Sequence, residues 1–248
     1  MEGPQDQVVI VTGAARGIGS SIARTLASSG ARLSLADIDT EGVRRVAEDI
    51  RDEGHVASSS YVDISSSTSA TELASRTLAH YGRIDAIVAN AAIDAPHGLA
   101  WEIGEEHWDR IIDVNLSGSW WCARAVIPTM MSQTSGKIIF ISSIVARLGS
   151  SMYSPAYAAS KAGLLGLTVG LAAQLEGHGV RVNAIIPGPT GNTGTPVGQG
   201  EAAEYLASHP LGFGGPQPIA DAVDFLLSSG GDWISGAALN VTGGGMRG

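Results

Sequence analysis

Residues 7–19, QVVIVTGAARGIG, decide the fold of this chain. The first six residues, Gln7 to Thr12, form a short apolar run suited to a β-strand that is buried on both faces. A glycine-rich turn follows at Gly13–Gly19, and a helical pattern then runs to Gly30. This is the context of a phosphate-binding loop, because glycine lets the backbone approach a phosphate and a helix N-terminus offers unpaired N–H groups. The spacing is G-x-x-x-G-x-G rather than the commoner G-x-G-x-x-G.

Apolar and amphipathic segments alternate along the rest of the chain. The predicted strands are 7–12, 32–36, 56–62, 84–89, 137–142, 180–186 and 237–241. The predicted helices are the one that follows the glycine turn, then 41–53, 68–81, 105–131, 155–176, a short piece at 201–207, and 219–227. Strands that alternate with helices predict an α/β fold, here a doubly wound, seven-stranded parallel sheet with helices on both faces. We find no domain boundary, so residues 1–248 are interpreted as one domain.

The composition is that of a globular protein, with 44% hydrophobic and 16% charged residues. A formal net charge of −9 makes nucleic acid and anionic membranes poor partners. The single cysteine, Cys122, excludes an intramolecular disulfide, and its apolar helical context predicts a buried small side chain. The histidines lack metal-ligand spacing, and we find no signal peptide and no run of 18 apolar residues. We therefore expect a cytoplasmic protein without a metal site.

Polar residues follow several predicted strands at one edge of the sheet, where ligands of open parallel sheets bind. Asp37 ends the second strand, 18 residues after Gly19, which is close to the offset of a carboxylate that holds an adenosine ribose. It could instead be a turn residue or a helix cap. Asn90 and Ser143 follow the fourth and fifth strands, so we expect them at the same edge.

The stretch Tyr157-Ala158-Ala159-Ser160-Lys161 places a phenol and an ammonium group one helical turn apart. A phenol titrates near pH ~10, which is too high for acid-base work at neutral pH. A neighbouring cation stabilises the phenolate and lowers that pKa. The pair is therefore a candidate proton-transfer device, although a core tyrosine beside a surface lysine would have the same spacing.

Two further features call for an explanation. Asn115 lies inside the predicted helix 105–131, where asparagine is unfavourable by propensity, so it has either a functional role or a buried backbone partner. Residues 188–200 hold five glycines and three threonines without periodicity, which predicts a binding loop or lid or, alternatively, a disordered surface loop. The many small residues of 155–176 predict close approach by another helix, within the subunit or from a second one.

Taken together and in this order, the motifs resemble those of the short-chain dehydrogenases/reductases in their single-domain, Rossmann-like form. The match covers essentially the whole chain. It consists of Thr12-Gly13-x-x-x-Gly17-Ile18-Gly19, Asp37, Asp63, Asn90-Ala91-Ala92, Asn115, Ser143, Tyr157-x-x-x-Lys161, Pro187-Gly188, Ile234-Ser235-Gly236 and Val241-Thr242-Gly243-Gly244.

The resemblance implies a role for each matching residue. Tyr157 would be the general acid-base, Lys161 would lower its pKa and bind the nicotinamide ribose, Ser143 would hold the substrate oxygen, and Asn115 would anchor a water of the proton relay. Asp63 would meet the adenine, and the backbone of 186–190 would contact the nicotinamide amide. The implied cofactor-binding set is Gly13, Arg16, Gly17, Ile18, Gly19, Asp37, Asp63, Ile64, Asn90, Ala91, Tyr157, Lys161, Pro187, Gly188 and Thr190.

The implied activity is hydride transfer between NAD and a secondary alcohol or ketone, in a cytoplasmic homotetramer that takes a small-molecule substrate. NAD is expected rather than NADP because the carboxylate of Asp37 would repel a 2′-phosphate, although Arg16 could attract one. The alternatives are a carrier-linked 3-oxoacyl reductase of fatty-acid type and a non-catalytic nucleotide-binding relative. Against the former, residues 132–135 at the end of the long helix carry no positive charge; Arg124 and Arg147 keep it open.

The chain departs from the family pattern at four points. Ser143 and Tyr157 are 14 residues apart, one more than is usual, so the loop 144–156 is expected to bulge. Ser142 is a rival for the serine role. Ala92 replaces the usual glycine of the Asn-Ala-Gly motif. Where the family has one threonine that touches the cofactor, Thr190, Thr193 and Thr195 compete.

Overall fold

The sheet has seven parallel strands, as predicted, and their order is β3-β2-β1-β4-β5-β6-β7. The computed structural model describes residues 3–93, 100–149, 153–188, 190 and 211–247. The strands are β1 Val8–Thr12, β2 Arg32–Asp37, β3 Ala57–Tyr61, β4 Ala86–Ala89, β5 Gly136–Ile141, β6 Val180–Pro187 and β7 Ala238–Val241. The chain order reverses beside β1, whose neighbours are β2 and β4, and such a switch point opens a crevice at the carboxyl edge of the sheet.

Helices connect the strands and cover both faces. They are α1 Gly17–Ser28, α2 Thr40–Asp52, α3 Ser67–Tyr81, α4 Glu105–Ile111, α5 Ser119–Gln133, α6 Pro155–Leu175 and α7 Gln217–Leu227. The predicted helix 201–207 and most of the predicted loop 188–200, including Thr193 and Thr195, lie outside the described residues.

The two faces of the sheet carry separate apolar cores, as the alternation of side chains along each strand requires. Val9 and Val11 of β1 point to the side that α1, α2 and α7 cover. Ile10, between them, points to the opposite side, where it joins residues of α3, α5 and α6. Phe140 of β5 is fully buried in this second core, and Cys122 lies there too, as predicted. Strands that are apolar at every position therefore need cover on both faces.

The predicted helix 105–131 is not continuous, which corrects the sequence-based expectation. A π-helical segment, Ile112–Gly118, separates α4 from α5 and contains Asn115. Such segments leave the i→i+4 hydrogen-bond pattern and occur frequently at functional sites. The apolar periodicity of the sequence predicted one continuous helix because the chain is helical on both sides of this break.

Helix α6 crosses the core beside β6 and carries the sequence Tyr157–Lys161 at its beginning. With the 3-10 turn that follows it, the segment Pro155–His178 is the one helix in the described ranges that is long and apolar enough to cross a membrane, with a mean hydropathy of 1.2. Its buried Leu164, Leu171 and Leu175 instead pack in the core beneath the sheet. Its apolar composition is thus that of a core helix.

Candidate active site

The glycine turn after β1 is shaped by close contacts with the end of β4. Gly13 has a φ of +68°, and a Cβ there would lie 2.7 Å from the Cα of Ala91, so only glycine fits without strain. A Cβ at Gly19 would overlap the carbonyl oxygen of Gly13. The side-chain amide of Asn90 donates to the carbonyl oxygens of Thr12 (3.0 Å) and Gly13 (3.1 Å). The side chain of Asn90 is therefore a brace that holds the backbone of the turn in place.

The N-terminus of α1 is open to a ligand. Its N-cap residue, Arg16, is exposed and extended, and no side chain caps the first turn, which contains Gly17, Ile18 and Gly19. Uncapped N–H groups and the positive end of the helix dipole favour an anion such as a pyrophosphate. The shape and the chemistry of this turn therefore fit a dinucleotide.

Asp37 lies at the end of β2 and faces the glycine turn. One carboxylate oxygen accepts the N–H of Ala15 (3.0 Å), and the other accepts the N–H of Asp39 (2.9 Å). Asp39 in turn caps α2 by accepting the N–H of Gly42 (2.9 Å). The rival interpretation of Asp37 as a helix cap is therefore wrong, because Asp39 takes that place, whereas the bond from the N–H of Asp39 is the contact of a turn residue. Asp37 instead holds a fixed carboxylate beside the phosphate-binding turn.

Asp63 and Ile64 lie just beyond β3 on the same edge. The carboxylate of Asp63 accepts the N–H (3.0 Å) and the hydroxyl (2.7 Å) of Ser65, which fixes its orientation. Ile64 is buried and packs over Gly118 at the end of the π-helical segment, where a Cβ would lie 2.9 Å from the Ile64 carbonyl oxygen. The contact between Ile64 and Gly118 therefore joins the crevice wall beyond β3 to the π-helical segment that contains Asn115.

The two serines after β5 have different environments. Ser142 is 3% exposed, and its hydroxyl donates to the main-chain oxygen of Lys161 at 2.8 Å. Ser143 is half-buried, and its hydroxyl oxygen accepts the N–H of Val145 (3.4 Å) at the start of the 3-10 turn Ile144–Ala146. Ser142 is thus committed to the framework, whereas Ser143 lies beside the crevice.

Tyr157 and Lys161 lie on one face of α6, as the spacing predicts. Lys161 is 4% exposed, with its Nζ 5.7 Å from the centre of the Tyr157 ring and 3.0 Å from the carbonyl oxygen of Ile141. The ring of Tyr153 stacks on that of Tyr157, with centroids 5.3 Å apart and an angle of 22° between the planes. The buried ammonium of Lys161 and the ring of Tyr157 are therefore neighbours near the beginning of α6.

Asn115 is fully buried, and its side chain clamps the chain after β4. Its Oδ1 accepts the N–H of Ile93 (2.8 Å), and its Nδ2 donates to the carbonyl oxygen of Ile93 (3.0 Å). The same Nδ2 lies 3.4 Å from the hydroxyl of Ser160, which itself donates to the carbonyl oxygen of Tyr157 (2.8 Å). The backbone partner of Asn115, which the sequence could not identify, is therefore Ile93. A chain of polar contacts links Asn115 to α6.

The far side of the crevice is formed by the ends of β6 and β7. Gly188 follows β6, and a Cβ there would lie 2.7 Å from the Cα of Thr242. The N–H of Gly188 donates to the carbonyl oxygen of Val241 (2.9 Å), which fixes the backbone after Pro187. Thr190 is 9% exposed, whereas Thr193, Thr195 and Pro189 lie outside the described residues.

The chain matches known proteins over almost its whole length. The sequence profile of a family described as enoyl-(acyl carrier protein) reductase matches residues 13–246. A cis-4-hydroxycyclohexanecarboxylate dehydrogenase of Sinomonas cyclohexanicum is 36% identical over 244 residues, which cover 96% of each chain. A 3-oxoacyl-(acyl-carrier-protein) reductase of Chlamydia muridarum is 37% identical over 242 residues, 96% of this chain and 97% of the relative.

The chain belongs to the short-chain dehydrogenases/reductases. A solved structure from Beutenbergia cavernae, described as an NAD(P)-dependent gluconate 5-dehydrogenase with NADP at low occupancy, is 35% identical; the match covers 97% of both chains with a TM-score of 0.91. The fold of this short-chain dehydrogenase/reductase and its class as a nicotinamide-dependent oxidoreductase follow from these relatives.

Sequence reasoning predicted which residues form the candidate site of this family member, but it assigned no role to Thr12 or Ser160, which hold the site in place. The hydroxyl oxygen of Thr12 accepts the N–H groups of Asn90 (3.1 Å) and Ala91 (3.2 Å), which joins the end of β4 to the glycine turn. Ser160 connects Asn115 with α6. A polar residue that ends an apolar strand, and a serine inside an alanine-rich helix, were the signals that could have revealed them.

Proposed function

We propose that this protein is an NAD-dependent oxidoreductase that interconverts a secondary alcohol and a ketone. The observation that carries the proposal is the buried ammonium of Lys161 beside the Tyr157 ring, with Ser143 at the end of the adjacent strand. A phenol that a buried cation activates can exchange a proton with a substrate oxygen near neutral pH. Oxidation of a panel of secondary alcohols, followed at the absorbance of reduced nicotinamide, tests the proposal.

In the oxidation direction, Tyr157 as phenolate takes the hydroxyl proton of the alcohol. The hydroxyl of Ser143 donates a hydrogen bond to the substrate oxygen as charge develops there, which stabilises the transition state. Lys161 keeps the phenolate form populated. Asn115 keeps the chain after β4 in place and, as in its family, anchors a water of the proton relay. The bound nicotinamide supplies the hydride acceptor, and the protein supplies orientation and proton management.

The dinucleotide would lie along the carboxyl edge of the sheet. Gly13, Gly17, Ile18 and Gly19 would hold its pyrophosphate, with Arg16 at the rim. The contacts of Asp37 with the glycine turn support a ribose role, and the position of Asp63 and Ile64 supports an adenine role. Further along the edge, the cofactor would meet Asn90, Ala91, Tyr157, Lys161, Pro187, Gly188 and Thr190.

NAD is proposed as the cofactor rather than NADP because of Asp37. Its carboxylate occupies the end of β2, where it can accept hydrogen bonds from ribose hydroxyls and would repel a 2′-phosphate. Exposed Arg16 could attract that phosphate, and the relative from Beutenbergia cavernae was solved with NADP. The ratio of kcat/KM for the two cofactors decides between these influences.

The substrate is proposed to be a free alicyclic or other hydrophobic secondary alcohol. The relative from Sinomonas cyclohexanicum is named for a hydroxylated six-membered carbocycle, and apolar Val145 and stacked Tyr153 beside Tyr157 suit such a ring. A carrier-linked 3-oxoacyl reductase is the second candidate, because several relatives carry that name.

Charge argues against the carrier-linked candidate. A protein of net charge −9 repels an acidic carrier, and residues 132–135 at the end of α5 contain no cation. Arg124 on α5, one of the two cations that keep the carrier-linked candidate open, lies over the ring of Trp121, 5.8 Å from its centre. Reduction of a 3-oxoacyl group should therefore be no faster on a carrier protein than on a short free thioester. A carrier preference of tenfold or more would favour the second candidate, and lack of turnover with every substrate would favour a non-catalytic nucleotide-binding protein.

A cytoplasmic homotetramer is proposed as the working form. Val169 on α6 is 60% exposed, and a Cβ at Gly166 or Gly170 would meet nothing within 4 Å, so this face of α6 is smooth and apolar. Such a face suits close packing against a second copy of the same helix. Light scattering should report a particle of four chains, and a particle of 25.4 kDa at micromolar concentration would contradict the proposal.

A further inference from the structure

A recess of about 340 Å³ lies between the turn after β5 and the beginning of α6. The residues that line it include Val145, Leu148, Tyr153, Pro155 and Ala158. Arg147 is the single charged residue among the described residues that line it. Apolar side chains beside a small number of polar groups are common in small-molecule sites.

The recess shares a wall with the candidate active site. Tyr153 lines the recess, and its ring stacks on Tyr157 with centroids 5.3 Å apart. Val145 also lines the recess and belongs to the apolar cluster against which Tyr157 packs. Tyr153 and Val145 therefore border both the recess and the ring of Tyr157.

Arg147 is held at a fixed distance from Ser143 by its own backbone. The N–H of Arg147 donates to the carbonyl oxygen of Ile144 (3.1 Å), and that of Ala146 donates to the carbonyl oxygen of Ser143 (3.0 Å). Ser143 and Arg147 therefore stand at the two ends of the 3-10 turn Ile144–Ala146. A substrate whose carbinol lies at Ser143 has the cation of Arg147 at the other end of the same turn.

The guanidinium of Arg147 is exposed, and no carboxylate pairs with it in the described parts of the chain. None of the described residues that line the recess is acidic. The protein as a whole repels anions because its net charge is −9. A cation next to the site opposes this repulsion locally and favours an anionic substrate there. An arginine presents a planar pair of donors that matches a carboxylate.

We propose that Arg147 binds the carboxylate of the substrate, so that the preferred alcohol is a cyclic hydroxy acid rather than a neutral alcohol. The inference rests on the proposed function and names the substrate class of the same site. The ring of the substrate packs on Val145 and Tyr153, and its carbinol meets Ser143 and Tyr157. Arg147 is then a specificity-determining residue that takes no part in the proton transfer.

The test compares 4-hydroxycyclohexanecarboxylate with its methyl ester, which keeps the ring and the carbinol but lacks the charge. The wild-type enzyme should prefer the acid in kcat/KM, mainly through KM. Arg147→Gln should lower kcat/KM for the acid by about five- to tenfold and leave the ester unchanged, because a partly exposed charge pair contributes on that scale. Arg147→Lys should retain part of the preference, and added salt should weaken it.

Arg124→Gln is the matched control, because it removes an exposed arginine of α5 and should leave both substrates unaffected. Equal kcat/KM for acid and ester in the wild type, with no effect of Arg147→Gln, would overturn the inference while leaving the proposed function intact. A change of oligomeric state in Arg147→Gln without a change in the acid-to-ester ratio would also overturn it, since Arg147 would then pair with a neighbouring subunit. Lack of turnover with every alcohol would instead overturn the proposed function itself.

Discussion

The hydroxyl of Ser142 donates a hydrogen bond of 2.8 Å to the main-chain oxygen of Lys161. The Nζ of the same lysine donates to the carbonyl oxygen of Ile141, one residue before that serine. The end of β5 and the beginning of α6 are therefore fastened together at two points. These contacts give Ser142 a framework role and distinguish it from Ser143, its neighbour in the sequence.

The two serines should respond differently to the same substitution. Ser143→Ala should lower kcat by about 10²-fold or more at nearly unchanged stability, because it removes a donor to the substrate oxygen. Ser142→Ala should reduce the free energy of unfolding by about 1 kcal/mol, the contribution of a buried hydrogen bond, with a smaller effect on kcat. Urea unfolding and steady-state kinetics on both variants provide the comparison. The reverse pattern would assign the catalytic role to Ser142.

Tyr157→Phe removes one hydroxyl and leaves the ring that stacks on Tyr153. We expect turnover to fall by about 10²- to 10⁴-fold while cofactor affinity and folding are retained, since only the proton-transfer group is lost. Tyr61→Phe, at a half-exposed tyrosine of β3, is the control and should have wild-type activity. Retention of more than about a tenth of the wild-type rate in Tyr157→Phe would exclude the acid-base role.

Asp37→Ser should shift cofactor preference from NAD toward NADP. At ~4 Å and an effective dielectric constant near 20, each pair of like charges repels by about 4 kcal/mol, and a quarter of this corresponds to about fivefold in affinity. Asp52→Ser, the same exchange at the exposed end of α2, should leave the preference unchanged. Addition of Arg16→Ala to Asp37→Ser should reduce the gain for NADP. A wild-type preference for NADP would mean that Arg16 outweighs Asp37.

Cys122 should make stability depend on pH in the alkaline range. Burial raises the pKa of its thiol to about 12, so the folded protein keeps the proton at a pH where the unfolded chain has lost it. Stability from this group is complete below the unfolded pKa and decreases as the pH rises towards 12. Between pH 8 and pH 10, the wild type should lose about 1.5–2 kcal/mol more stability than Cys122→Ala. Urea unfolding at both pH values measures this difference, and parallel losses would contradict it.

The fold could be predicted because its central strands are apolar over most of their length. A run such as VVIVT fits only a strand with cover on both faces, and the alternation with amphipathic helices then fixes a parallel sheet. The ends of the predicted strands differ from those observed by at most two residues. Tyr157 and Lys161 were equally accessible to prediction, since their spacing within one helix is a local property.

Local patterns did not predict the π-helical break, and the contacts of its central asparagine are distant in the chain. Asn115 pairs with the backbone of Ile93, 22 residues earlier, and no periodicity in α4 or α5 encodes that contact. The choice between Ser142 and Ser143 has the same character, since it depends on a main-chain oxygen of α6. Long-range hydrogen bonds of this kind decide how a site is held, whereas local patterns decide which residues it contains.

The brace that Asn90 forms behind the glycine turn has a consequence for the thermodynamics of cofactor binding. Because its amide already fixes the carbonyl groups of Thr12 and Gly13, the turn has its final shape before a dinucleotide arrives. Binding then loses little backbone entropy at this position, and an encounter between the pyrophosphate and the turn needs no slow rearrangement. Association of the dinucleotide at this end of the crevice should therefore be fast. Differences in its affinity should then lie mainly in the dissociation rate of the complex.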